Sequence, residues 1–255
     1  MTVSLDAHWL LGFLLAFVRA GAWLAFVPPF ANRRVIPPIA LVGVAGGLAV
    51  LTAPQLPAGA VPTDTPGLIG AVVVQVAMGS ALGLSVRILL AAVTAAGSFV
   101  DLFGGINLPP SMDPLDENQT PLVGQFYEQV AVALLFVTNG EMLLVRGFET
   151  SFAATGLSLS GTGRLAGTLS ADLATFFTAA LEIAAPVIVV LFTAQIGLAL
   201  LAKAAPLVNV WWLGFPVQVL LSLAAVGIAI HVVPGFLGHL VDRSLQDIGA
   251  MFGGR

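Results

Sequence analysis

Cysteine is absent from all 255 residues. That excludes disulfides, thiol nucleophiles and thiolate metal sites, and leaves the redox compartment open. Charge is nearly as scarce. Lys, Arg, Asp and Glu make up 9% of the chain, where soluble domains carry about 25%. The three histidines, at 8, 231 and 239, are too scattered for a metal cluster. No G-x-S-x-G, P-loop or H-E-x-x-H motif occurs. The expectation is therefore a protein that is not an enzyme and binds no cofactor or metal. Net charge is −4, so no basic surplus points to nucleic acid.

Apolar residues supply 58% of the chain and the mean hydropathy is +1.02. Only helices and closed barrels satisfy the backbone in lipid. Long apolar runs, without ten-residue alternation, exclude the barrel. The fold class is all-α: a polytopic helical membrane protein with about six apolar segments forming long kinked helical hairpins. The chain reads as a single helical membrane domain, 1–255. The leading MTVSLD is acidic and Arg19 interrupts the first apolar run, so residues 8–28 read as a retained helix, not a signal peptide.

Residues 39–53 and 122–147 read as apolar segments, and 207–237 as another without Asp, Glu, Lys or Arg. The Gly-, Ser- and Thr-rich residues 148–171 read as a flexible loop, and 238–255 as a short amphipathic tail. Two segments are too long for one ordinary span. At 1.5 Å per residue, 68–103 extends about 54 Å, against a bilayer core of about 30 Å. The segment 172–203 is similarly long and contains Glu182 and Pro186. Arg33 and Arg34 favour a cytoplasmic first loop, but the remaining Arg residues fall almost evenly on both sides. Over-long helices explain that better than simple spans.

The most polar, turn-rich stretch is Gly104–Pro121, GGINLPPSMDPLDENQTP. It holds three acids, four of the sixteen prolines and no basic residue. Pro109, Pro110 and Pro114 forbid a continuous helix. Loops of this length are uncommon unless they act; the plain alternative is a solvated connector. Ile106, Leu108, Met112 and Leu115 could seal a passage by excluding water.

Within 68–103, Ser80, Arg87, Thr94 and Asp101 recur every seven residues, and Gly83 and Gly97 follow three after Ser80 and Thr94. Small and polar groups on an apolar helix avoid lipid. This seam is either a close helix–helix contact, with Arg87 paired to an acid, or the wall of a wet passage. Arg19, Glu141, Glu182 and Lys203 must be paired, end-located or wet. A small secondary transporter using Glu141, Glu182 and Arg87 in broken helices is the alternative function.

Residues 202–216, AKAAPLVNVWWLGFP, carry a more specific signal. Lys203, Pro206, Asn209, Gly214, Phe215 and Pro216 match the alanine–basic–x–x–Pro–x–x–Asn and Gly-Phe-Pro signature, and the chain resembles the FliR/SctT family. The likeness runs through Arg19 with Pro28, Pro29 and Pro37, then Asp113-Pro114, Phe136 with Asn139-Gly140, Ser151 and Pro186. Glu141, Leu207 and Trp211 depart from the usual basic residue or His, Gln and Phe. The resemblance implies a subunit of the type III protein export gate in the bacterial inner membrane, at the flagellar basal body or in a virulence system. Its implied partners are FliP-like, FliQ-like and FlhB-like membrane subunits, the lipid and unfolded export substrates. In the family, the loop corresponding to 105–117 helps plug the closed pore.

Overall fold

The computed structural model describes residues 7–28, 30–31, 36–55, 61–62, 64–104, 121–155, 165–205, 210–231 and 233–252. Eight α-helices occur among them: α1 (Ala7–Leu24), α2 (Pro38–Thr52), α3 (Thr65–Gly104), α4 (Leu122–Val137), α5 (Gly140–Thr155), α6 (Leu165–Ala204), α7 (Val210–Ala229) and α8 (Val233–Phe252). A 3-10 turn, Ala53–Gln55, extends α2.

Local chemistry sets several of these boundaries. Pro38 stands at the first helical position of α2 after an extended Pro37, where a missing N–H costs nothing. Asp64 caps α3, its carboxylate accepting from Gly67 N at 2.9 Å. Pro186 lies inside α6 without ending it, so one carbonyl of the preceding turn loses its donor.

Both over-long segments are single helices of 40 residues, each about 60 Å long. Both are long and apolar enough to cross a membrane. The polytopic all-α architecture expected from composition is thus the architecture found. Two local readings are corrected. Residues 148–155 and 165–171 are helical, not loop. Their hydroxyls are satisfied inside the helices: Thr150 donates to Gly147 O, Ser151 to Phe148 O and Ser170 to Gly167 O. The segment 122–147 is two helices, broken at Thr138–Asn139. Asn139 takes φ 55°, the left-handed conformation that Asn tolerates better than most residues. Its carbonyl then accepts from Met142 N at 3.2 Å and opens α5.

The chain divides into two compact units. The first comprises residues 1–89, 139–173 and 241–255, the second 90–138 and 174–240. Helices α3 and α6 therefore contribute to both. In the first unit α1 packs on α2, and Leu15, Val61 and Ala71 form a small core with Leu11, Leu68 and Val72 around it. In the second, Val93, Ala96 and Val100 of α3, Tyr127 and Leu135 of α4, and Ile183 and Leu191 of α6 are buried.

Candidate functional site

In the first unit, the polar groups of α1 and α5 meet. Arg19 is fully buried, its guanidinium carbon 4.2 Å from the centre of the Phe152 ring. Its Nη1 donates to Ser151 Oγ at 3.4 Å. The ring face attracts the cation, and an intramembrane charge gains a neighbour it requires. Trp23 and Phe148 pack beside this pair with ring centres 4.9 Å apart.

The α3 seam divides into two kinds of position. Its glycines meet backbone. A Cβ on Gly83 would stand 2.6 Å from Trp23 O, and one on Gly97 would stand 2.7 Å from Val123 O. Gly79, one turn before Gly83, is as tight against α1 through Arg19 O and Ala22. Only glycine permits such approach. The polar members Ser80 and Thr94 are half-buried and Arg87 is exposed. Arg87 makes no ion pair among the described residues.

Asp101 is buried and does something periodicity could not show. Its carboxylate accepts from Val123 N at 2.9 and 3.1 Å and from Gly124 N at 3.0 Å. Helix α4 starts after Pro121 with no cap of its own. Asp101 supplies that cap from α3, placing negative charge at a helix N-terminus. Nearby, Gln195 of α6 donates to Phe103 O, one of the last carbonyls of α3, which lack helical partners. The two helix ends that flank the polar loop are thus fixed by side chains. Loop 105–117, with Ile106, Leu108, Met112 and Leu115, lies outside the described residues, as do Pro206 and Asn209.

The remaining motif residues sit at the α6–α7 connection. Lys203 is exposed in the last turn of α6. Gly214 of α7 faces Leu198 of α6, with an added Cβ 3.4 Å from its Cδ1. Phe215 is exposed and Pro216 lies within α7. Of the transporter triad, Glu182 is exposed, and Glu141 keeps one buried carboxylate oxygen without a hydrogen-bond partner.

Sequence reasoning missed Gly79, Gln195 and Gly124. It also missed a buried contact between Ser85 and Asp172. A signal existed for Gly79 alone, since Gly79-x-x-x-Gly83 has the spacing of close helix pairs.

Long apolar helices, glycine-mediated backbone approach and buried side chains that cap helix ends define a polytopic helical membrane protein. The chain belongs to the FliR/SctT family: the family model for "Bacterial export proteins, family 1" matches residues 10–244. It is similar to the flagellar biosynthetic protein FliR of Bacillus subtilis (strain 168), at 29% identity over 87% of this chain and 86% of that one. Against FliR of Escherichia coli (strain K12) identity is 28% over 84% and 83%. For FliR of Pectobacterium carotovorum it is 26% over 92% and 90%.

Proposed function

We propose that this protein is a component of the bacterial flagellar export apparatus. In it, the chain is a non-enzymatic subunit of an inner-membrane gate for unfolded flagellar proteins. The observation that carries this reading is the family match over residues 10–244, with relatives named flagellar biosynthetic proteins aligned over most of their length. A supporting observation comes from α6. Only 22% of its most apolar stretch is buried within the chain, against 61% for α3. Apolar faces left uncovered suit a subunit that FliP-like, FliQ-like and FlhB-like neighbours or lipid complete.

In this reading the loop 105–117 closes the resting passage, with Ile106, Leu108, Met112 and Leu115 as the apolar seal. Asp101 and Gln195 hold the helix ends from which it departs. Ser80, Arg87 and Thr94 are the polar positions available to line a passage, while Gly83 and Gly97 keep the helices close. Lys203, Pro206, Asn209, Gly214, Phe215 and Pro216 are the positions around the α6–α7 connection that a neighbouring subunit reads.

Affinity purification of the full chain from gently solubilised membranes tests the assembly. One copy with several copies of two smaller membrane proteins is the expected result. A solitary monomer that binds a small solute would instead return the transporter built on Glu141, Glu182 and Arg87. Deleting residues 106–115 tests the plug. The complex should still assemble, and the membrane should leak ions and small solutes. An assembled, tight deletion complex returns the loop to a connector.

A further inference from the structure

Three helices of the first unit bring polar groups together where neither the gate nor the family motifs call for any. Ser85 of α3 donates to Asp172 Oδ2 of α6. Asp172 is fully buried. The side chain of Asp247 from α8 lies close to it, and Arg243 adds a charge nearby. Arg243 Nε is 3.5 Å from Asp247 Oδ2, one helical turn apart, and its own side chain is 46% exposed. Among the described residues these are the ionisable groups facing Asp172.

The difficulty is the donor count. Two ionised carboxylates offer only acceptors. Ser85 satisfies one oxygen of Asp172. Asp172 Oδ1 and Asp247 Oδ2 remain buried with no hydrogen-bond donor. Arg243 is within ion-pair range of Asp247, its side chain is exposed, and it donates no hydrogen bond to Asp172 Oδ1. Two negative charges in contact, away from water, repel strongly. Among the described residues no group of three His, Asp or Glu could hold a metal ion there.

We propose that Asp172 and Asp247 form a proton-binding site, one proton shared between the two carboxyls, and that this proton fastens α8 to α3 and α6. A proton on one carboxyl turns it into a donor to the other, leaves a single negative charge opposite Arg243, and removes the repulsion. The sign follows from proton count. The fastened state holds one proton that two separated, solvated carboxylates, with ordinary pKa values of about 4, have already lost well below neutral pH, so it is favoured as pH falls and lost as pH rises. Helix α8 is then released from the rest of its unit by deprotonation.

The absence of cysteine supplies the probe. Ser244, on α8, is 2% exposed, and Ser244→Cys gives a single buried thiol in the full-length chain. Its N-ethylmaleimide labelling is followed in isolated membranes from pH 5 to 8, with rates divided by those of the same variant unfolded in detergent to remove thiol ionisation. The corrected rate should rise at least fivefold with pH. Asp247→Asn or Asp172→Asn, in which an amide N–H replaces the shared proton, should flatten the profile at the protected level. Arg243→Gln should move the rise to higher pH, because the cation that favours the ionised pair is gone. A pH-independent rate in the parent overturns the proposal. So does an unaltered rise in both Asn variants, or protection that depends on sodium or potassium at fixed pH.

Discussion

The buried polar residues of this chain do structural work that apolar residues cannot. Asp101 is the clearest case. It leaves the hydrogen-bonding repertoire of its own helix to cap another, 22 residues on. Without it, two buried N–H groups lose their acceptor, at about 1–3 kcal/mol. Gly97 acts on the same contact from one turn earlier, because any Cβ there meets α4 backbone within 3 Å. Asp101→Ala and Gly97→Ala are each expected to destabilise the α3–α4 contact by about 1–3 kcal/mol. Asp101→Asn, which keeps one acceptor oxygen, should lose less. The midpoint of heat-induced aggregation of the purified complex measures this. Equal midpoints for Asp101→Ala and the parent would mean that water replaces the carboxylate and that the cap is incidental.

Among the elements, the break between α4 and α5 depends on one residue. Asn139 sits at φ 55°, where most L-residues pay about 1–2 kcal/mol and β-branched ones more. Asn139→Gly should therefore be silent and Asn139→Val should lower the thermal midpoint, since a branched side chain drives the two helices toward one continuous rod. Matched midpoints for both variants would show that tertiary packing, not local conformation, sets the break. This break also marks the limit of what the sequence discloses. The apolar run 122–147 has no proline, and Asn139-Gly140 is too short a signal to divide it. The two over-long helices were legible over 68–103 and 172–203, because length and apolar composition alone forbid any other structure in lipid. The glycines Gly83 and Gly97 were legible as small positions, but their partners were not, since Trp23 and Val123 lie on separate helices. Of the two readings of the seam, the one that pairs Arg87 with an acid finds no such ion pair among the described residues, where Arg87 reaches the surface of the chain. The Ser85–Asp172–Asp247 contact was invisible because its members fall on three elements, of which α8 read as a tail and the start of α6, up to residue 171, as loop. Hydroxyls that bond back within their own helix hid those elements.

At the scale of the whole molecule, the unequal burial of its two long helices bears most directly on assembly. Along α6, Leu173, Phe177 and Leu181 form one exposed apolar stripe, and Val189, Phe192, Ile196 and Leu200 continue the exposure toward its C-terminal end. Lipid and protein would both satisfy such a face, but they respond differently to lost volume. Lipid tails refill a gap left by a truncated side chain at little cost. A packed neighbour cannot, and truncating an interface anchor costs about 2 kcal/mol or more, which is more than tenfold in affinity. The double change Phe192→Ala with Ile196→Ala keeps the helix apolar and favours helix formation, so insertion of the chain should be unaffected. If neighbouring subunits cover this face, the amount of partner recovered with the tagged chain should fall at least tenfold while its own level in the membrane stays constant. The same truncations at exposed positions of α2, Ile39 and Val42, provide the comparison for a second uncovered face. Undiminished recovery of partners from the α6 variant would assign that face to lipid, and the assembly would then have to be held through other surfaces.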